Sequence, residues 1–202
     1  MKKRIVTIAL VVALLATCFA GTYAYLIDSE AQKNTFTTGN VLITLDEAEV
    51  KNVNGNLVAT GERIVDGAKA QTYHLFPAMT VTKDPTITLD ASSEDAWIAA
   101  KITFSKPEVY ALLSGGVLKT DAVVVEQKDN VVYVYVKAVQ SKNAKIVLFD
   151  TLTVPYTYGN TEMTALNGMT IDVKAYAVQA NGFATCQAAM QAAFSGEFPA
   201  NP

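Results

Sequence analysis

A chain of 202 residues with 16 basic and 19 acidic side chains, net charge −3, has no cationic surplus with which to hold nucleic acid or anionic lipid. Its one histidine falls short of the paired histidines, one helical turn apart, that a zinc protease of the HExxH type requires. A length near 200 fits one domain whose apolar core alone can support folding.

The first element is an export signal. Lys2, Lys3 and Arg4 form a positive start, and Ile5 to Ala20 follows without a charge. That order is the n-region and h-region of a secretory signal peptide. The apolar run, about 16 residues, is short of the roughly 20 needed to span a bilayer, and no basic stop-transfer cluster follows it. Two processing sites compete. Leu15-Ala16-Thr17-Cys18 resembles a lipobox, although Thr17 stands where a small Gly, Ala or Ser is usual. Thr22-Tyr23-Ala24 offers a small residue at −3 and Ala at −1, which would release a chain starting at Tyr25. Removing 24 of the 202 residues leaves 178, with 13 basic against 19 acidic side chains, a net charge of −6. Cys186 is then the single cysteine, so no internal disulfide forms.

Past residue 36 the pattern is one of short strands. Asn40 to Leu45 is β-rich, and Val50–Val53 and Asn56–Ala59 flank Asn54-Gly55, a dipeptide suited to a tight hairpin turn. Thr86–Ala91 alternates with Ile87, Leu89 and Ala91 on one face, and Trp97–Phe104 with Ile98, Ala100, Ile102 and Phe104. Both patterns predict strands with one wet face. Pro107–Leu113 starts with proline and stops at Gly115-Gly116, which predicts a short helix. Val123–Glu126 and Val131–Val139 bracket a turn at Lys128-Asp129-Asn130. Val131 to Val136 is apolar on both faces, so it belongs in the middle of a sheet or under a helix. Ile146–Val154 and Met169–Val178 complete the strands, and Phe183–Phe194 places Phe183, Cys186, Met190 and Phe194 on one helical face. The fold class expected is mainly β: a jelly-roll-like two-sheet β-sandwich with a few short peripheral helices. The expected organisation is a signal peptide over 1–24, an N-terminal segment over 25–36 and one domain over 37–202.

No catalytic constellation emerges. His74, in Tyr73-His74-Leu75-Phe76-Pro77, has no nucleophile motif beside it, and reads as a structural or exposed residue. Cys186 on an apolar helix face reads as a small hydrophobe. The acidic runs Asp46-Glu47-Glu49 and Glu94-Asp95 match no EF-hand loop and read as solvated faces, with a weak calcium site from distant loops left open. The glycines form neither a dinucleotide nor a phosphate loop. The expectation is a non-enzyme with no catalytic residue, no metal ligand and no cofactor.

Gly21-Thr22-Tyr23-Ala24-Tyr25-Leu26-Ile27-Asp28-Ser29-Glu30 and Asn34-Thr35-Phe36-Thr37-Thr38-Gly39-Asn40-Val41 resemble the processing junction of proteins cut by the SipW-type signal peptidase. Later blocks are similar to the TasA/camelysin family. They are Phe76-Pro77 with Val81-Thr82-Lys83-Asp84-Pro85, Leu148-Phe149-Asp150 before Val154-Pro155, and Ile171–Ala180 running on through Phe183 and Ala188. The segment Trp97-Ile98-Ala99-Ala100-Lys101 departs from the aromatic-Val-Arg-Val more usual there. The resemblance favours cleavage between Ala24 and Tyr25. It implies a jelly-roll domain secreted to the extracellular matrix or cell surface and assembled into biofilm fibres. In that family the freed N-terminal segment completes a neighbour's sheet, and some members carry a metalloendopeptidase label.

The donor strand expected on that basis is Tyr25, Leu26, Ile27, Asp28, Ser29, Glu30 and Ala31. Tyr25, Ile27, Ser29 and Ala31 share one face, and Asp28 and Glu30 the other, with Leu26 the exception. About six main-chain hydrogen bonds at roughly 1 kcal/mol each, with roughly 5–9 kcal/mol from burying three large side chains, oppose roughly 7–14 kcal/mol of backbone ordering. One such junction is modest, so fibres would depend on concentration. The partners implied are a second copy of the chain and the SipW-type peptidase, with matrix or anchoring proteins as further candidates. A free N-terminal tail, a strand docked in its own subunit, a monomeric surface adhesin or accessory matrix protein, and a camelysin-like metalloendopeptidase are the alternatives.

Overall fold

The computed structural model describes residues 40–53, 56–66, 71–106, 110 and 123–200. The signal peptide, both cleavage sites and the Tyr25–Ala31 segment lie outside the described residues, as does nearly all of the helix expected over Pro107–Leu113. Tyr110 is described, and its ring meets Phe104 edge-on at 5.8 Å.

The first sheet is built on a hairpin of β1 (Ile43–Val53) and β2 (Asn56–Val65). Val53 pairs with Asn56, so β1 and β2 pair as the hairpin expected at this point. β1 is one strand where the sequence pattern predicts two, and the acidic run sits inside it. The ladder slips between Ala48 and Val50, and β2 carries the extra residues opposite Glu49. Gly61 takes φ +88° there, a left-handed value that costs glycine little. Thr60 Oγ1 donates to the Glu49 carbonyl and carboxylate. β4 (Thr86–Leu89) joins the other side of β1, and β8 (Lys145–Val147) closes the order β2-β1-β4-β8. β3 (Thr80–Thr82) and β9 (Thr151–Thr153) form a separate antiparallel ribbon.

The second sheet has the order β10-β5-β7-β6, from β10 (Ile171–Gln179), β5 (Ala96–Phe104), β7 (Val131–Val136) and β6 (Val123–Lys128). β6 and β7 are the expected hairpin, with Asp129 at φ 53° in the turn. Ile87, Leu89, Ile98, Ala100, Ile102, Phe104, Val132 and Val134 are fully buried in one cluster between the sheets. The chain is therefore mainly β, two four-stranded antiparallel sheets face to face, the strand count of a jelly roll.

Two helices are described, α1 (Asn160–Leu166) and α2 (Cys186–Ala193). α2 starts where the Thr185 hydroxyl accepts from the Ala188 N–H, an N-cap, and it lays Cys186, Ala189 and Met190 on the outer face of the second sheet. This corrects the expectation of a wet face on β5, because Trp97 and Ala99 are buried under α2. It also accounts for the apolar faces of β7, where Tyr133 and Tyr135 pack with Phe198.

Three further expectations are corrected. Ala91 is exposed beyond β4, and Thr86 on the supposed wet face is buried. Ile146–Val154 is two strands, because buried Leu148 and Phe149 carry the chain out of the first sheet into the ribbon. α1 falls where no element was expected. Its Glu162 carboxylate accepts from the Gly159 N–H at 2.9 Å, and Lys106 donates to the carbonyls of Ala165 and Asn167 at its C-terminal end.

Candidate functional site

β10 is an edge strand, and its register with β5 runs unbroken from Ile171↔Phe104 to Gln179↔Ala96. At one end the Ser105 N–H donates to the Thr170 carbonyl, and at the other the Ala180 N–H donates to the Asp95 carbonyl. Hydrogen-bonded and non-bonded pairs alternate in an antiparallel ladder, so the even-numbered residues of β10 turn their backbone groups to β5. The N–H and C=O of Ile171, Val173, Ala175, Ala177 and Gln179 point the other way. Among the described residues no strand pairs with that side.

Beside this edge lies a cleft of about 940 Å³. Its wall across from β10 is apolar, made by Ile43 and Leu45 of β1, Ile64 of β2, Leu75, Val81 of β3 and Leu152 of β9. The side chains of Ile171, Val173 and Ala175 complete it on the β10 side. The remaining edges are poorer acceptors. β8 is three residues long, β2 carries the Gly61 irregularity with exposed Glu62 and Arg63, and β6 ends in Glu126-Gln127-Lys128.

The rim of the cleft is charged, and it corrects the reading of Asp46 and Glu47 as a solvated face. Arg63 bonds Asp46 through Nε, Asp84 Oδ2 through Nη1 at 2.8 Å and Thr86 Oγ1 through Nη2 at 3.0 Å. Burial works against the Arg63 charge, but the hydrogen bonds and charges of Asp84 and Asp46 outweigh it, so its pKa is raised. Lys83 pairs with Glu47 and lies 5.6 Å from the Tyr73 ring centre. Burial, then the charges of Glu47 and Asp84, push the Tyr73 phenol up.

Two of these side chains occupy a strand's place. Asp84 Oδ1 accepts from the Ala48 N–H and Gln71 Oε1 from the Val50 N–H, each at 2.7 Å. Gln71 Nε2 donates back to the Ala48 carbonyl at 3.0 Å. β4 pairs with β1 only from Ile43 to Asp46, and beyond it side chains take over the ladder. Sequence reasoning missed this sealing of β1, since Gln71 and Asp84 have no local signature.

His74 lies outside any strand, exposed, with its ring edge-on to Phe76 at 4.8 Å. Cys186 is in the core as expected. Its thiol donates to the Ile98 carbonyl at 3.2 Å, and burial pushes its pKa up to about 12. Glu94 and Asp95 are exposed. Among the described residues no group of three or more His, Cys, Asp or Glu side chains is placed to hold a metal ion.

The geometry defines a mainly β, two-sheet protein in which the β10 edge, unpaired among the described residues, borders an apolar cleft. The family model described as camelysin metallo-endopeptidase matches residues 1–66, the N-terminal segment together with β1 and β2. The resemblance to the TasA/camelysin family is borne out by that match, and the family is one of secreted, matrix-type proteins. No curated protein and no solved structure matches the chain. A peptidase zinc needs about three protein ligands. With the chain's single histidine exposed beside Phe76, the described residues do not fit one. Among them no helix is long and apolar enough to cross a membrane.

Proposed function

We propose that the protein is a secreted, non-enzymatic structural subunit that polymerises outside the cell. Tyr25–Ala31 of one copy, freed by cleavage between Ala24 and Tyr25, adds to β10 of the next. The observation that carries this reading is the outward row of backbone groups on β10 beside a cleft of about 940 Å³. An added strand gains main-chain hydrogen bonds from such an edge and seats alternate side chains in the pocket beside it. Tyr25, Ile27, Ser29 and Ala31 would face the cleft together. At about 3.4 Å per residue, the segment fits within the length of β10. Before cleavage the same residues are tethered to the signal peptide, which restricts assembly to the outside.

The test compares the mature chain with a variant lacking Tyr25–Ala31 and with Ile27→Asp, by sedimentation and electron microscopy. Both variants are expected to remain folded monomers at concentrations where the parent forms fibres. Polymerisation of both as readily as the parent would contradict the reading. His74→Ala is expected to leave fold and assembly unchanged. Stoichiometric zinc in the parent, lost in that variant, would argue for the peptidase instead.

A further inference from the structure

The outer side of β10 is divided along its length. Its even-numbered residues are polar at the start, with Asp172 and Lys174 exposed. They are apolar at the end, where Tyr176 and Val178 pack into the cluster under α2. Tyr176 meets the Phe194 ring edge-on at 5.0 Å. Glu197 is held by Lys101 Nζ at 2.8 Å and by the Tyr176 hydroxyl, and it also feels the charge of Lys174, whose side chain is exposed. The edge thus presents an exposed cation near its beginning and an apolar shelf near its end.

The donor segment is divided the same way on its outward side, with Leu26 first and then Asp28 and Glu30. We infer that the strand enters antiparallel to β10, with Leu26 opposite Val178, Asp28 opposite Tyr176 and Glu30 opposite Lys174, and that Leu26 on the apolar end sets polarity while Lys174 sets register. This rests on β10 being the acceptor. A parallel strand would put Leu26 against Asp172 and Asp28 near Lys174, matching the single ion pair but setting the apolar Leu26 on a carboxylate and leaving Val178 uncovered. An antiparallel strand slipped by two residues would join Asp28 to Lys174 but set Glu30 against Asp172, and like charges directly opposite are unfavourable. Leu26 breaks the alternation of an isolated strand, and in this register it is the residue that covers the shelf.

On the opposite face the cleft takes the later part of the donor, since its β10 lining stops at Tyr176. Directly opposite residues share a face, so Ile27 falls against Ala177, Ser29 against Ala175 and Ala31 against Val173. The largest of the three donor side chains that enter along this stretch therefore meets an alanine.

The pairs Leu26–Val178 and Glu30–Lys174 sit at non-hydrogen-bonded positions, where side chains approach most closely and a disulfide can form. Mature Leu26→Cys is mixed with mature Val178→Cys, Tyr176→Cys or Asp172→Cys under mild oxidation, and crosslinked dimers are read on a non-reducing gel. Val178→Cys is expected to give the dominant product. A dominant Tyr176→Cys product would overturn the register, and a dominant Asp172→Cys product the polarity. In parallel, Lys174→Glu is expected to raise the critical concentration for fibres by roughly tenfold, and Lys174→Glu with Glu30→Lys to restore it. If Lys174→Glu assembles like the parent while the variant lacking Tyr25–Ala31 does not, the electrostatic register is wrong and the donor strand stands. If both assemble like the parent, the acceptor reading itself has failed.

Discussion

Among the described residues two stretches that flank the cleft run without a neighbouring strand, and they are treated in opposite ways. On β1, past the point where β4 stops, the N–H groups of Ala48 and Val50 are taken by the side chains of Asp84 and Gln71. On β10 the outward groups of Ile171 to Gln179 find no strand among the described residues. An unpaired edge is a template for another chain, and folds that must stay monomeric blunt it with charges, bulges or coverings. Here the first edge is blunted and the second is left open beside an apolar cleft. In the proposed assembly the open edge is the docking feature.

The sharpest way to break the contrast is proline on the open edge. Ala175→Pro removes an outward N–H and leaves the β5 pairing in place, a position an edge strand tolerates. Fibre assembly is expected to be lost, with circular dichroism and thermal midpoint close to the parent. Asp172→Pro, out of phase, removes an N–H that faces Thr103 of β5. It is expected to destabilise the monomer by about 1–3 kcal/mol in denaturant titration. If both substitutions had the same effect, the assignment of inward and outward residues would be wrong.

Opening the sealed edge is a smaller perturbation. Asp84→Ala strands the Ala48 N–H and removes one of the carboxylates on Arg63, at a cost of about 1–3 kcal/mol. Gln71→Ala strands the Val50 N–H and removes the donor to the Ala48 carbonyl and to Glu47, and is expected to cost about 1–2 kcal/mol. Both are expected to increase irregular aggregates in light scattering even when Tyr25–Ala31 is deleted, because a second edge becomes available. Loss of stability without such aggregates would show that the two side chains support β1 without guarding it.

The smallest effect is alkaline. Tyr73 accepts from Gln71 Nε2 at 3.1 Å, and its pKa is raised in the folded chain by burial, then by Glu47 and Asp84. A raised folded pKa leaves stability intact below the ordinary tyrosine value, about pH 10, and removes it as pH climbs above that. Tyr73→Phe is therefore expected to change neutral stability by no more than about 1 kcal/mol and to flatten part of the alkaline decline. A fall in stability beginning at neutral pH in the parent would contradict this sign.

How legible was this arrangement? The alternations of Ile98 to Phe104 and Ile171 to Ala177 marked strands and their core faces directly, because a period of two is local. The doubly apolar run at Val131 announced a covered sheet, and Cys186 with Met190 announced the covering helix. What stayed hidden depends on long-range pairing. Nothing near residue 175 tells that β10 has β5 on one side and a cleft on the other. Nothing near Asp46 and Glu47 reveals that Arg63 and Lys83 lie across from them. α1 was missed because it is one of the shorter elements and buries only Leu166, too little for a helical period to show. The strand at Thr80–Thr82 is likewise defined by its partner β9 and not by its own pattern.

The central claim is that every second residue of β10 waits for a strand, and amide hydrogen exchange resolved by NMR tests it most directly. In the mature chain lacking Tyr25–Ala31, the amides of Asp172, Lys174, Tyr176 and Val178 are expected to exchange slowly, and those of Val173, Ala175 and Ala177 quickly. Adding a synthetic peptide of Tyr25–Ala31 should slow the second set and leave the first unchanged. Odd-numbered amides already protected without the peptide, or unaffected by it at saturating concentration, would contradict the account.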